Sequence, residues 1–130
     1  MEFTFFYLAT PYSKYPHGPV RAFDDACELA ATLIGADIPV FSPIVHSHPI
    51  AETGKLDAFD HSLWMAIDKP FLKAASALIV ARMDGWESSL GIKKEINLFN
   101  VANKHIVYID PWQPDIQRLR NLKDALSPNF

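Results

Sequence analysis

Apolar positions along this chain alternate between two rhythms. Phe3 to Ala9 is an aromatic and aliphatic run without helical punctuation, which predicts a buried strand. From Val20 to Gly35, Phe23, Ala26, Cys27, Ala30, Leu33 and Ile34 recur at helical spacing and a glycine closes the segment. That pattern predicts an amphipathic helix. The hexapeptide IPVFSP, 38 to 43, predicts a short second strand, weakened by the proline inside it. Phe59 to Lys73 predicts another helix, with Leu63, Trp64, Ile67 and Phe71 on its apolar side and Pro70 producing a kink or an early stop. ASALIVARM, 75 to 83, is the clearest strand; KHIVYID, 104 to 110, is a fourth, and Pro114 to Leu126 predicts a closing helix. Ile44 to Ala58 shows no clear period and carries two histidines, a proline and a glycine, so a long connection is expected there. Long connections in compact domains are often functional.

The alternation of strand and helix predicts one α/β domain over residues 1–130, with a parallel sheet covered by helices on both faces. Ligands of such sheets sit at the carboxyl ends of the strands. The segments that follow strands therefore rank first: Ala9 to Pro19, Ser42 to His48, and Arg82 to Ser89.

One stretch breaks the pattern. In DGWESSLGIKKEINLF, 84 to 99, turn residues lead into a helix whose apolar face carries Ile92, Ile96 and Phe99. At about 100° per residue, with Ile92 at zero, Ile96 falls near 40° and Phe99 near −20°. Glu95 falls near −60° on the same scale, inside the arc that is to be buried. Lys93, Lys94, Asn97 and Asn100 share the other side. A carboxylate in an apolar arc has an ordinary explanation, a thinly covered helix or an arginine partner. It also has a functional one, since buried acids are costly and persist where they do chemistry.

Composition narrows the classes. Over 130 residues, 49% hydrophobic and 21% charged content fit one soluble domain. A net charge of −3 with scattered Lys and Arg gives no footprint for a nucleic-acid polymer. A free nucleotide remains open, because two or three donors hold one phosphate. The single cysteine, Cys27, reads as a small buried hydrophobe. The N-terminus lacks the basic flank of a signal peptide, and no apolar run approaches the roughly 20 residues of a membrane span, so a cytoplasmic protein is expected.

Candidate chemistry reduces to carboxylates. After the first strand comes ATPYSKYPHGP, with neither GxGxxG nor a Walker pattern. His46 and His48 in VHSHP are two potential metal ligands without the third and fourth that a closed site needs, so no metal is expected. His46 then remains as a loop histidine or as part of a polar pocket wall. No GxSxG elbow or cysteine-nucleophile motif is present. What remains is Asp68 on the Phe59–Lys73 helix, Glu95, and Asp84 directly after the best strand. Tyr7, near the end of the first strand, is placed to hydrogen-bond a buried acid.

FYLATPY at 6 to 12, a helical Asp68, and SSLGIKKEI at 88 to 96 resemble the nucleoside 2-deoxyribosyltransferase superfamily, over nearly the whole chain. That group also contains the 2′-deoxynucleoside 5′-monophosphate N-glycosidases. The resemblance implies a single-domain Rossmann-like, flavodoxin-like three-layer fold with a parallel sheet of four to five strands. It implies a covalent mechanism in which Glu95 attacks the anomeric carbon, Tyr7 orients Glu95, and Asp68 protonates the leaving base. Ser89 matches the position that meets the sugar or a 5′-phosphate, and Gly91 leaves room for the ligand. Ser13, Asp84 and His46 are further substrate-binding candidates. The loop cations Lys14, His17 and Arg21 either cradle a phosphate or face water. Trp86 is either a pocket wall or a surface anchor.

The function implied is cleavage of the N-glycosidic bond of a 2′-deoxynucleoside or its 5′-monophosphate, by water or by transfer to another base, without a cofactor. The alternative is a non-catalytic nucleotide-binding or sensing module on the same fold. A small-molecule substrate, no nucleic-acid polymer, no membrane, and a homodimer or higher homo-oligomer complete the expectation. Family sites often borrow a residue from a neighbouring subunit, and no residue here matches it.

Overall fold

A computed structural model describes residues 2–127. Strands β1 (Phe6–Ala9), β2 (Val40–Phe41), β3 (Ala77–Ala81) and β4 (His105–Ile109) form one sheet in the order β2-β1-β3-β4, every pair parallel. Helices α1 (Pro19–Gly35), α2 (Pro43–Gly54), α3 (His61–Ala74), α4 (Leu90–Val101) and α5 (Ile116–Ala125) connect and follow them. The order 2-1-3-4 is that of a doubly wound sheet. Its switch point lies between β1 and β3, where the chain's crossovers diverge and a crevice opens at the strand ends.

Strand alternation distributes β1 between two cores. Phe6 and Leu8 pack with Leu29 and Leu33 of α1 and Leu119 of α5. Tyr7 and Ala9 face the other way, against Leu72 of α3 and Ile92 and Phe99 of α4. Every residue of β1 and β3 is buried, as the unbroken apolar runs require. The side of the sheet that takes Tyr7 is therefore the side covered by the helices of Asp68 and Glu95.

Four sequence expectations are corrected. The first strand begins at Phe6: Thr4 instead donates its N–H to Ser76 Oγ (2.8 Å) and its hydroxyl to the Ala74 carbonyl (2.7 Å). The supposed connection from Ile44 to Ala58 is mostly helix α2. Capping made it: Pro43 opens the helix, and the Ser42 hydroxyl accepts from the Val45 N–H at 3.3 Å. Ile44, His48 and Ala51 form its buried stripe, a period hidden by the histidine and by Pro49. Pro70 does not stop α3, which runs on to Ala74; Ala66 and Pro70 both lie on its exposed side, where water meets the freed carbonyl. Finally, α3 buries Asp68 and Leu72, whereas Leu63 and Ile67 are exposed. No helix among the described residues is long and apolar enough to cross a membrane.

Candidate active site

Three elements deliver the site. Tyr7 points from β1 into the α3–α4 layer and is fully buried. Asp60 caps α3, its carboxylate accepting from the Leu63 N–H at 3.2 Å, and two turns later Asp68 turns inward, 9% exposed. Ser89 caps α4 after β3, accepting from the Ile92 N–H at 3.2 Å, and Glu95 follows at 7% exposure. Asp68, Ser89 and Glu95 line one cavity at the strand ends, together with Thr10, Tyr12 and Ser13 from the loop after β1. Its volume is about 90 Å³, room for a sugar-sized group, so a larger ligand extends through its mouth.

Hydrogen bonding marks the same place. Among the described residues, three buried side-chain atoms lack a partner: Tyr7 Oη, Thr10 Oγ1 and Asp68 Oδ1. All three belong to this site. Buried polar groups are otherwise almost always paired, and leaving one unpaired costs about 1–3 kcal/mol.

Burial dominates the electrostatics. It pushes the Glu95 carboxyl up to about 8; Tyr7 opposes the shift and the charge of Asp68 adds to it. Burial also lifts Asp68 to about 6, against a lowering by His46. The Tyr7 phenol is driven far up by burial, then by Glu95 and Asp68, and stays a neutral donor. Tyr7 is near enough for its hydroxyl to ease the Glu95 proton off, but the two do not align as a well-formed hydrogen bond and Oη is left open. Near neutrality the two carboxyls therefore hold about one proton between them, with burial favouring Glu95.

The expected residues divide. Ser13, Asp68, Ser89, Gly91 and Glu95 line the cavity, and Tyr7 lies buried within reach of both acids. A side chain at Gly91 would meet nothing nearer than Ser89 Oγ at 3.8 Å, so glycine there keeps cavity space open. Asp84 is not in the wall: it is exposed and accepts from His17 Nε2 at 2.9 Å. His46 lies outside the wall too, exposed on α2 against the Phe41 and Phe71 rings, and reaches Asp68 only by its charge. Arg21 is drawn away from the site by Asp25 at 3.1 Å, to which Tyr15 also donates at 2.7 Å. Trp86 packs on Tyr108 and does not line the cavity.

Sequence reasoning missed Thr10, Tyr12, His61 and Lys94, all of which line the cavity. Thr10 was within the strand-end segment that ranked first. Lys94 sat on the polar side of its helix wheel, and nothing in the period separates a cavity rim from open solvent.

A larger hollow of about 590 Å³ lies at the amino ends of β1 and β2, walled by Phe5, Val40, Phe41 and Phe71 with one acid, Asp37. It brings no acids together, and chemistry favours the smaller cavity. Among the described residues no three His, Cys, Asp or Glu side chains converge as metal ligands.

The family model described as a domain of unknown function, DUF1937, matches residues 4–110. The chain belongs to the DUF1937 family. The match takes in all four strands and both acid-bearing helices, hence Tyr7, Asp68, Ser89 and Glu95, and ends before α5. No curated protein matches the chain. In this DUF1937 chain the acid pair and its cavity lie wholly inside the family's extent.

Proposed function

We propose that this protein cleaves the N-glycosidic bond of a 2′-deoxynucleoside 5′-monophosphate or deoxynucleoside. The observation that carries the reading is the convergence of two buried carboxyls, Asp68 and Glu95, with Thr10 in one strand-end cavity beside the buried Tyr7 hydroxyl, where the Tyr7, Thr10 and Asp68 oxygens lack partners. Glu95, as carboxylate, attacks C1′ of the sugar, and the C1′–N bond breaks as the glycosyl ester forms. Asp68 gives its proton to the leaving base. Asp68 then takes a proton from water, which attacks C1′ and releases the sugar, restoring Glu95; an acceptor base in place of water gives transfer. The positive charge that develops at C1′ favours the anion on Glu95 and the proton on Asp68, opposite to the preference of the free site. The Tyr7 phenol, unpartnered in the free site, is near enough to donate to the Glu95 carboxylate as that anion forms, and so favours ionisation.

Ser89 and the first turn of α4 suit a 5′-phosphate, through its hydroxyl and free N–H groups. Lys94 supplies a cation and His61 an imidazole at the rim, in place of the loop residues Lys14 and Arg21. A homodimer or higher homo-oligomer belongs to the same reading. Leu63 and Ile67 on α3, with Leu90, Leu98 and Val101 on α4, leave apolar surface on the two acid-bearing helices that a second copy would cover.

Incubation with a panel of deoxynucleosides and their monophosphates, with and without an acceptor base, tests the reading by chromatographic release of base. Glu95→Gln is the control. A non-catalytic nucleotide-binding module is the second reading, favoured by one observation: a Glu95 that keeps its proton near pH 7 is a donor to a ligand before it is a nucleophile. Nucleotide binding without base release by any member of the panel decides for the module.

A further inference from the structure

A second cavity of about 160 Å³ adjoins the acid cavity, and Tyr12 and Ala58 belong to the walls of both. Its character differs. Tyr12, His48 and Phe59 give it aromatic faces, Val20 and Leu56 give it aliphatic ones, and Glu52 is the one acid in its wall. Val20, Leu56 and Phe59 are 60%, 49% and 46% exposed, large apolar side chains left in water around one hollow. Its inner wall is fixed. The Tyr12 hydroxyl and His48 Nδ1 are 2.7 Å apart in a hydrogen bond, and the His48 ring, 9% exposed, is stacked on Phe23 with centroids 4.6 Å apart. Phe59 packs against Tyr12 with ring centroids 5.5 Å apart. Glu52 is close enough for its charge to act on the Tyr12 phenol, so a carboxylate stands at the aromatic edge.

Two adjoining compartments, one polar and acidic and one flat-walled and aromatic, fit a ligand with the same division. The first takes the sugar, and the second lies against it across the shared residues Tyr12 and Ala58. We infer that the Tyr12–His48–Phe59 cavity receives the base, and that Glu52 selects a base bearing an exocyclic amino group. A carboxylate accepts hydrogen bonds and offers none, so it pairs with an amino group and repels an exocyclic carbonyl oxygen in the same place. The aromatic faces supply stacking, which tolerates any base. The inference rests on the glycosidic reading of the acid cavity for the sugar, but the base compartment is testable by itself.

The experiment titrates the whole protein with free adenine and with hypoxanthine, which carry an exocyclic amino group and an exocyclic carbonyl oxygen at the same ring position, by isothermal calorimetry. Adenine is expected to bind about tenfold tighter, the scale of one hydrogen bond to a charged group. Glu52→Gln, an exposed substitution that does not touch the core, is expected to bring the ratio close to one. Phe59→Ala should weaken both bases about tenfold through lost stacking. Base binding that behaves in this way without cleavage of 2′-deoxyadenosine 5′-monophosphate keeps the base compartment and removes the glycosidase reading. No binding of either base, or a preference that survives Glu52→Gln, overturns the inference, whatever the protein cleaves.

Discussion

Asp68 on α3 and Glu95 on α4 converge on one cavity, and the charge of Asp68 adds to burial in holding the Glu95 proton. A pair coupled in this way titrates as a unit. With the carboxyls at about 6 and about 8, kcat/KM is expected to follow a bell with limbs near those values. The species carrying one proton is the active one: below the bell Glu95 cannot attack, and above it Asp68 cannot donate. In Asp68→Asn the alkaline limb should vanish, with the residual activity rising with pH. A wild-type profile flat from pH 5 to 9 refutes the shared proton.

The same burial links stability to pH, with a definite sign. Glu95 titrates at about 8 in the folded protein against 4.5 for an unburied glutamate. Between those values the folded state holds a proton that the unfolded state has lost. Stability is therefore complete below about 4.5, falls as pH rises, and levels off above about 8. At about 1.4 kcal/mol per unit the loss amounts to several kcal/mol. Glu95→Gln should abolish turnover, by at least ~10³ if Glu95 is the nucleophile. It should also be clearly more stable than wild type at pH 9 and little different at pH 5, in urea unfolding. A mutant that unfolds at both pH values makes Glu95 structural.

Asp68→Asn and Tyr7→Phe separate two further roles. The first should slow substrates with poor leaving bases far more than activated analogues, because only poor leaving bases need the proton. Equal losses on both would make Asp68 a positioning group. Tyr7→Phe removes an unpaired buried hydroxyl and keeps the ring that packs on Phe99 and Phe41. Its stability should hold or rise, while its activity falls more mildly than that of Glu95→Gln and its alkaline limb moves to higher pH, because Tyr7 lowers the Glu95 value. A destabilised Tyr7→Phe would mean that the hydroxyl is satisfied within the fold.

Ser89 is the position to test for the substrate's charge. Aspartate caps helices as well as serine does, so Ser89→Asp should keep α4 intact, whereas Ser89→Ala should lose about 1 kcal/mol of stability. At about 4 Å a new carboxylate repels a phosphate charge by about 4 kcal/mol with an effective dielectric near 20. The wild type should therefore prefer the monophosphate, and Ser89→Asp should prefer the nucleoside, in kcat/KM for a matched pair. A wild-type preference for the nucleoside, or no change in the mutant, removes the phosphate from the reading.

The sequence by itself determined the central strands, because strands buried on both faces demand unbroken apolar runs, and β1 and β3 have them, whereas β4 opens on an exposed His105 and is partly buried. It also determined that Glu95 turns inward, since the helical period carries that information in local order. Helix α2 was decided by Ser42 and Pro43 at its start, a capping signal that a period search passes over. In α3 the period placed Leu63 and Ile67 on the apolar side, but the neighbouring α4 and the sheet selected the stripe of Asp68 and Leu72. Periodicity says which residues share a face; only packing says which face meets a neighbour. Asp84 follows the best strand more closely than Ser89 does, yet it pairs with His17 outside the cavity. Thr10 and Tyr12 share a cavity wall with Glu95 because β1 lies beside β3, though more than 80 residues separate them from it in the chain. Proximity of that kind is created by strand pairing, and no local pattern encodes it.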